Sequence, residues 1–322
     1  MSRYSDNTRA HRLDPDSFAS GYFRNAVYRH WDPYEDIADE LLEQDRERLT
    51  ESEITEPLFD GLRGTLAAFG AGEEAVTEDL APLCMRLDSI EKQMFVTTQI
   101  YEEAKHTAFF DRYWRDVIDP VAEAKGFEVT APTDERYFRD GYEELFDRTE
   151  TAMHNLLEDD SDEALVEAYC HYHLAVESVL AQTGYYGIQA AYSPSGPDLG
   201  AEGNLHLEGL VEGISYIRSD EGRHVGFGMH EVQDLVEAGV DPNIVNETLS
   251  DLLPLVAEAV GPDPNASGGG EGGIDPNALV EYASEKVARR IEIITDTTAE
   301  IPPVEELVHI EGGADAGATG DD

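Results

Sequence analysis

Apolar residues recur every three or four positions through most of the chain, the spacing of helices that each bury one face. The pattern predicts helices over roughly 34–48, 55–86, 89–118, 134–157, 162–190, 203–236, 243–260 and 276–295. Period-two alternation is nearly absent, and EIITDTT near 292 is the single weak strand candidate. Proline- and glycine-rich stretches such as SPSGPDLGAEG and GPDPNASGGGEGGIDPN read as loops. The expectation is an all-α fold with at least four long helices, one domain over 1–300, and a flexible acidic tail over 301–322.

Four of the stripes are interrupted. Leu58, Leu62, Leu66, Phe69, Glu73, Val76, Leu80 and Leu83 share one face, with a carboxylate where a leucine is expected. Glu103 and His106 share a face with Val96, Phe110 and Tyr113. Glu177 falls with Cys170, Leu174, Leu180 and Gly184, and Glu221 with His224 follows Leu207, Leu210, Ile214 and Ile217. Isolated charge in a packed interface costs several kcal/mol, so such groups are protonated, paired or bound to metal.

Composition bears on the specificity of this pattern. The chain carries 69 acidic and 22 basic residues for a formal net charge of −47, spread along its whole length. That excludes recognition of a phosphate backbone and reads as a surface suited to a high-salt cytoplasm. With acids so common, ten histidines would show about two Glu-x-x-His pairs by accident, and the chain has three. Glu306 and His309, near the acidic end, read as surface, as do Glu74, Glu78 and Glu102, although the i, i+4 spacing would also let Glu102 join His106. His171 and His230 read as structural, and His173 as a donor standing behind the centre. Cys84 and Cys170 read as small buried thiols, and no apolar run is long enough for a membrane span. Two lone glutamates and two Glu-x-x-His pairs on four helices form the donor set of ferritin-like dimetal-carboxylate bundles.

The stretches GEEAVTEDL, EEAKHTAFF, YHLAVESVLAQTGYY and SDEGRH resemble the ribonucleotide reductase small-subunit-like ligand-binding oxidases over roughly residues 30 to 235. The resemblance implies a manganese–iron centre, with di-iron as the alternative. Glu73, Glu103 and His106 would hold manganese, Glu177, Glu221 and His224 would hold iron, and Glu103 would bridge. It further implies O2 as oxidant, a Val76–Tyr172 ether cross-link, a long-chain fatty acid reaching the metals, Tyr185 beside them, and a homodimer. The alternatives are a ribonucleotide reductase small subunit, a ferritin-like ferroxidase and an acyl desaturase. Phe110 stands where the reductases usually carry a radical tyrosine, and the residues from Ile310 onward contain no aromatic.

Overall fold

The computed structural model describes residues 13–196, 205–261, 276–296, 299–303 and 307. Among these residues the regular structure is entirely helical, as the apolar periodicity predicts. The chain opens with α1 (Phe18–Tyr28), a helix the stripe reading does not anticipate, and α2 (Asp39–Glu51). Ser17 caps α1 by accepting from the Ser20 amide at 3.2 Å. Two long helices follow, α3 (Glu56–Arg86) and α4 (Ile90–Tyr113), joined by three residues and packed along one another. Pro57 sits in the first turn of α3, where its missing N–H costs nothing. After α4 come a π-helical turn (Trp114–Ile118) and α5 (Asp119–Lys125), which ends at Gly126 with φ 71°.

The second half holds α6 (Asp140–Asn155), α7 (Asp162–Tyr169), a twelve-residue π-helical segment (Cys170–Ala181) and α8 (Gln182–Tyr192), then α9 (Glu208–Ala238), α10 (Asn243–Val260) and α11 (Pro276–Thr295). The expected single helix over 162–190 is therefore α–π–α. The difference matters for aim: in an α-helix, residues five apart point roughly 140° away from each other. The wider i→i+5 turn brings Tyr172 and Glu177 towards one face. The strand expected at EIITDTT is overturned, because residues through Thr295 continue α11 and bury Ile294.

The apolar interior falls into two clusters. One contains Phe95, Tyr169, Leu174, Phe227 and Val232, and the other Leu66, Phe109, Tyr185, Ile214 and Ile217. Along α3, α4, α9 and the α7–π–α8 rod, the interrupting carboxylates lie between members of these clusters, so the bundle carries a polar layer across its middle. Close approach maintains it: a Cβ on Gly228 would lie 2.4 Å from the His173 Cβ, so α9 and the π segment meet there only through glycine. Of the residues assigned to a tail, Ile301–Pro303 and Leu307 are described; Leu307 is buried and its carbonyl accepts from Arg290 at 3.3 Å. Glu306 and His309 lie outside the described residues. Leu58, counted in the α3 stripe, is 43% exposed.

Candidate metal centre

Glu73 from α3, Glu103 and His106 from α4, Glu177 from the π segment, and Glu221 and His224 from α9 are all buried and converge. His106 Nδ1 lies 3.3 Å from Glu73 Oε2, 3.1 Å from Glu103 Oε2 and 3.5 Å from Glu221 Oε1. His224 Nδ1 lies 3.1 Å from Glu103 Oε1, 3.3 Å from Glu177 Oε1 and 3.5 Å from Glu221 Oε2. Glu103 thus gives one oxygen to each cluster, and Glu221 faces both.

The far nitrogens fix the rings. His106 Nε2 lies 3.2 Å from Asp220 Oδ2, and His224 Nε2 lies 2.8 Å from Glu102 Oε2. Each imidazole is therefore held from behind by a carboxylate on the other helix. With Nε2–H donating outward, the Nδ1 lone pair faces the glutamates, the tautomer a metal ligand needs. The bracing acids have their own cations: Lys105 donates to Asp220 at 3.0 Å, and Arg223 donates to Asp220 and, at 2.6 Å, to Glu102. Trp31 Nε1 also donates to Asp220, at 2.8 Å. Glu102 is accordingly not a solvated residue, as its place in an acidic chain suggested, but 2% exposed and part of the site.

Protons alone serve this set poorly. Burial pushes Glu73 up to about 8, against the pull of His106, and raises Glu177 and Glu221 as well. Burial would raise Glu103 too, but the imidazoles of His224 and His106 outweigh it and hold its carboxyl well below the usual range. Burial would lower both histidines, yet Glu73 beside His106, and Glu103 and Glu177 beside His224, lift them well above their ordinary value. Glu177 Oε2, Glu221 Oε2 and His224 Nδ1 have no hydrogen-bond partner among the described residues. Buried acceptors facing one another are what two shared divalent cations would satisfy, and oxygen-rich donors with one imidazole per ion suit manganese and iron.

Three residues expected near the centre are there. Tyr172 donates to Glu103 Oε1 at 2.8 Å, and Tyr185 donates to Glu73 Oε1 at 3.1 Å. His173 touches no donor directly. Its Nε2 lies 3.3 Å from Gln99 Oε1, and the Gln99 amide donates to Glu177 Oε1 at 2.9 Å. Gln99, Lys105, Asp220, Arg223 and Trp31 are not picked out by reading stripes. A signal for four of the bracing residues does exist: EEAKH (102–106) and DEGRH (220–224) repeat the order acid, Glu, small residue, base, His.

A cavity of about 690 Å3 opens from the centre, with Glu73, Glu103, Glu177 and Glu221 at its inner end. Val76 and Tyr172 both line it, and Phe69, Val176 and Leu180 supply apolar wall. α3 borders it from Pro57 to Val76, a length of about 28 Å at the helical rise. Exposed Leu58 marks the outer end.

No protein-family model matches the chain. Solved structures do. One is an R2-like ligand-binding oxidase with aerobically reconstituted Mn/Fe cofactor after a long soak, 26% identical, covering 87% of this chain and 93% of that one with a TM-score of 0.71. A valine-to-leucine variant of an R2-like ligand-binding oxidase, with anaerobically reconstituted Mn/Fe cofactor, is 27% identical over 87% and 94% of the two chains (TM-score 0.71). A tyrosine-to-phenylalanine variant with aerobically reconstituted Mn/Fe cofactor is 26% identical over the same shares (TM-score 0.69). The chain thus has the ribonucleotide reductase small-subunit-like, ferritin-like helical fold of the R2-like ligand-binding oxidases.

Proposed function

We propose that the protein is an O2-using oxidoreductase with a manganese–iron centre, held by Glu73, Glu103, His106, Glu177, Glu221 and His224. The observation that carries the reading is the inward-facing donor set, in which both Nδ1 atoms and unpartnered glutamate oxygens converge while Asp220 and Glu102 hold the outer nitrogens. The match to Mn/Fe oxidases supports the choice of metals. Bound there, the metals supply O2 activation and oxidising power for C–H bonds.

The chain's own residues do the rest. Glu103 spans the two clusters, and Tyr185 and Tyr172 place hydroxyl protons on Glu73 and Glu103. The apolar cavity excludes bulk water and receives a long-chain fatty acid whose carboxylate points inward. Each buried methylene contributes about 0.8 kcal/mol to such binding. Val76 and Tyr172 become joined: the valine loses a C–H hydrogen, the phenol loses its O–H hydrogen, and O2 accepts the two electrons and two protons as the ether bond forms. Phe110, stacked on Phe69 with centroids 5.5 Å apart, leaves no phenol where a reductase usually stores its radical. The chain would act as a homodimer in a salt-rich cytoplasm. Among the described residues no helix is long and apolar enough to cross a membrane.

Metal-free protein reconstituted with Mn(II) and Fe(II) in air is the test, read by metal analysis and peptide mass mapping. One Mn and one Fe per chain, with a peptide pair linked through Val76 and Tyr172 and lighter by two hydrogens, is expected. Zinc or an empty centre sinks the oxidase, and a loaded centre without linked peptides sinks the cross-link.

A further inference from the structure

A second convergence of ligand atoms lies outside the centre. Asp79 is on α3, six residues past Glu73, and Glu150 and His154 stand one turn apart on α6. One carboxylate oxygen from each acid and one imidazole nitrogen all lie within 4.8 Å of one another, with Glu150 Oε1 3.7 Å from His154 Nδ1. Glu150 and His154 are exposed. Asp79 differs from the many solvated acids of this surface: it is 5% exposed and no donor among the described residues bonds its carboxylate. Burial, with Glu150 adding to it, pushes its carboxyl up to about 6.

Two carboxylates converge on one imidazole, with the exposed Glu78 close by. A divalent cation neutralises both acids and leaves the imidazole neutral as its ligand. We propose that Asp79, Glu150 and His154 form a binding site for one divalent first-row metal ion, separate from the dinuclear centre. One nitrogen and two oxygen donors, with two of the three side chains open to solvent, suit Mn2+, Fe2+ or Zn2+ with water completing the coordination. The ion ties α6 to α3. Those helices also wall the cavity, where Tyr142 and Phe146 of α6 cross Gly72 of α3, so its occupancy stiffens that wall.

The experiment starts from full-length protein whose centre is already loaded and freed of excess metal. It is titrated with Mn2+ in molar KCl, which suppresses diffuse binding to the acidic surface, and bound ion is read from loss of the free Mn2+ EPR signal. Wild type is expected to take up one further Mn2+ per chain, lost in Asp79→Asn and His154→Ala and kept in Glu78→Gln. In the same series, Mn2+ raises the Tm of wild type but not of Asp79→Asn. No further uptake in wild type overturns the site. So does uptake that survives Asp79→Asn, or that falls equally in Glu78→Gln, because the surface at large would then hold the ion.

Discussion

Asp220 meets Trp31, Lys105, His106 and Arg223 at once, and it is fully buried. Burial would raise its carboxyl, but His106 and Arg223 outweigh that and hold it well below the usual range, so it stands ionised behind His106. Asp220→Asn keeps the shape and removes the charge. Loss of such a bracing acid weakens metal retention by about 10–100-fold, read as metal remaining after dialysis against a chelator, with circular dichroism as the folding control. Unchanged retention in a folded variant would mean that Asp220 only fills space. That these six residues face the interior was legible in the sequence, because a charge in an apolar stripe is a one-helix signal. Their bracing was not, since it depends on how two helices line up: Glu102 sits four residues before His106, yet serves His224 on α9.

Elements meet here by subtraction as much as by fit. Alanine at Gly228 gains roughly 1 kcal/mol of helix propensity, but its Cβ would press on the His173 Cβ, an atom tied to backbone that cannot swing aside. Overpacking of this kind costs about 1–3 kcal/mol, so Gly228→Ala is expected to lower the urea midpoint. An unchanged or raised midpoint would show that the π segment gives way there. The π segment itself was illegible, because YCHYHLAVESVLAQTG reads equally well with helical periodicity and only tertiary packing selects the wider turn. α1 was missed for a simpler reason: FASGYFRNAVY is short and its exposed end carries apolar Val27 and Tyr28, which blur the stripe.

At the scale of the molecule, a net charge of −47 sets self-repulsion against the fold. The screening length rises from about 8 Å at 0.15 M salt to about 30 Å at 0.01 M. The urea midpoint is therefore expected to fall steadily as KCl is reduced over that range; a midpoint indifferent to salt would mean that the acids are matched locally. The buried interior follows a different account. Lys105 and Arg223 cancel Glu102 and Asp220, so the bracing layer sums to zero. Glu73, Glu103, Glu177 and Glu221 then leave four negative charges, and two divalent cations cancel these completely. Any further positive charge inside must be met by an anion arriving through the cavity or by a proton departing. The hydroxyl proton of Tyr185, already resting on Glu73, is one the chain holds in place, whereas that of Tyr172 would be spent in the proposed ether bond, which makes Tyr185 the reserve of charge compensation.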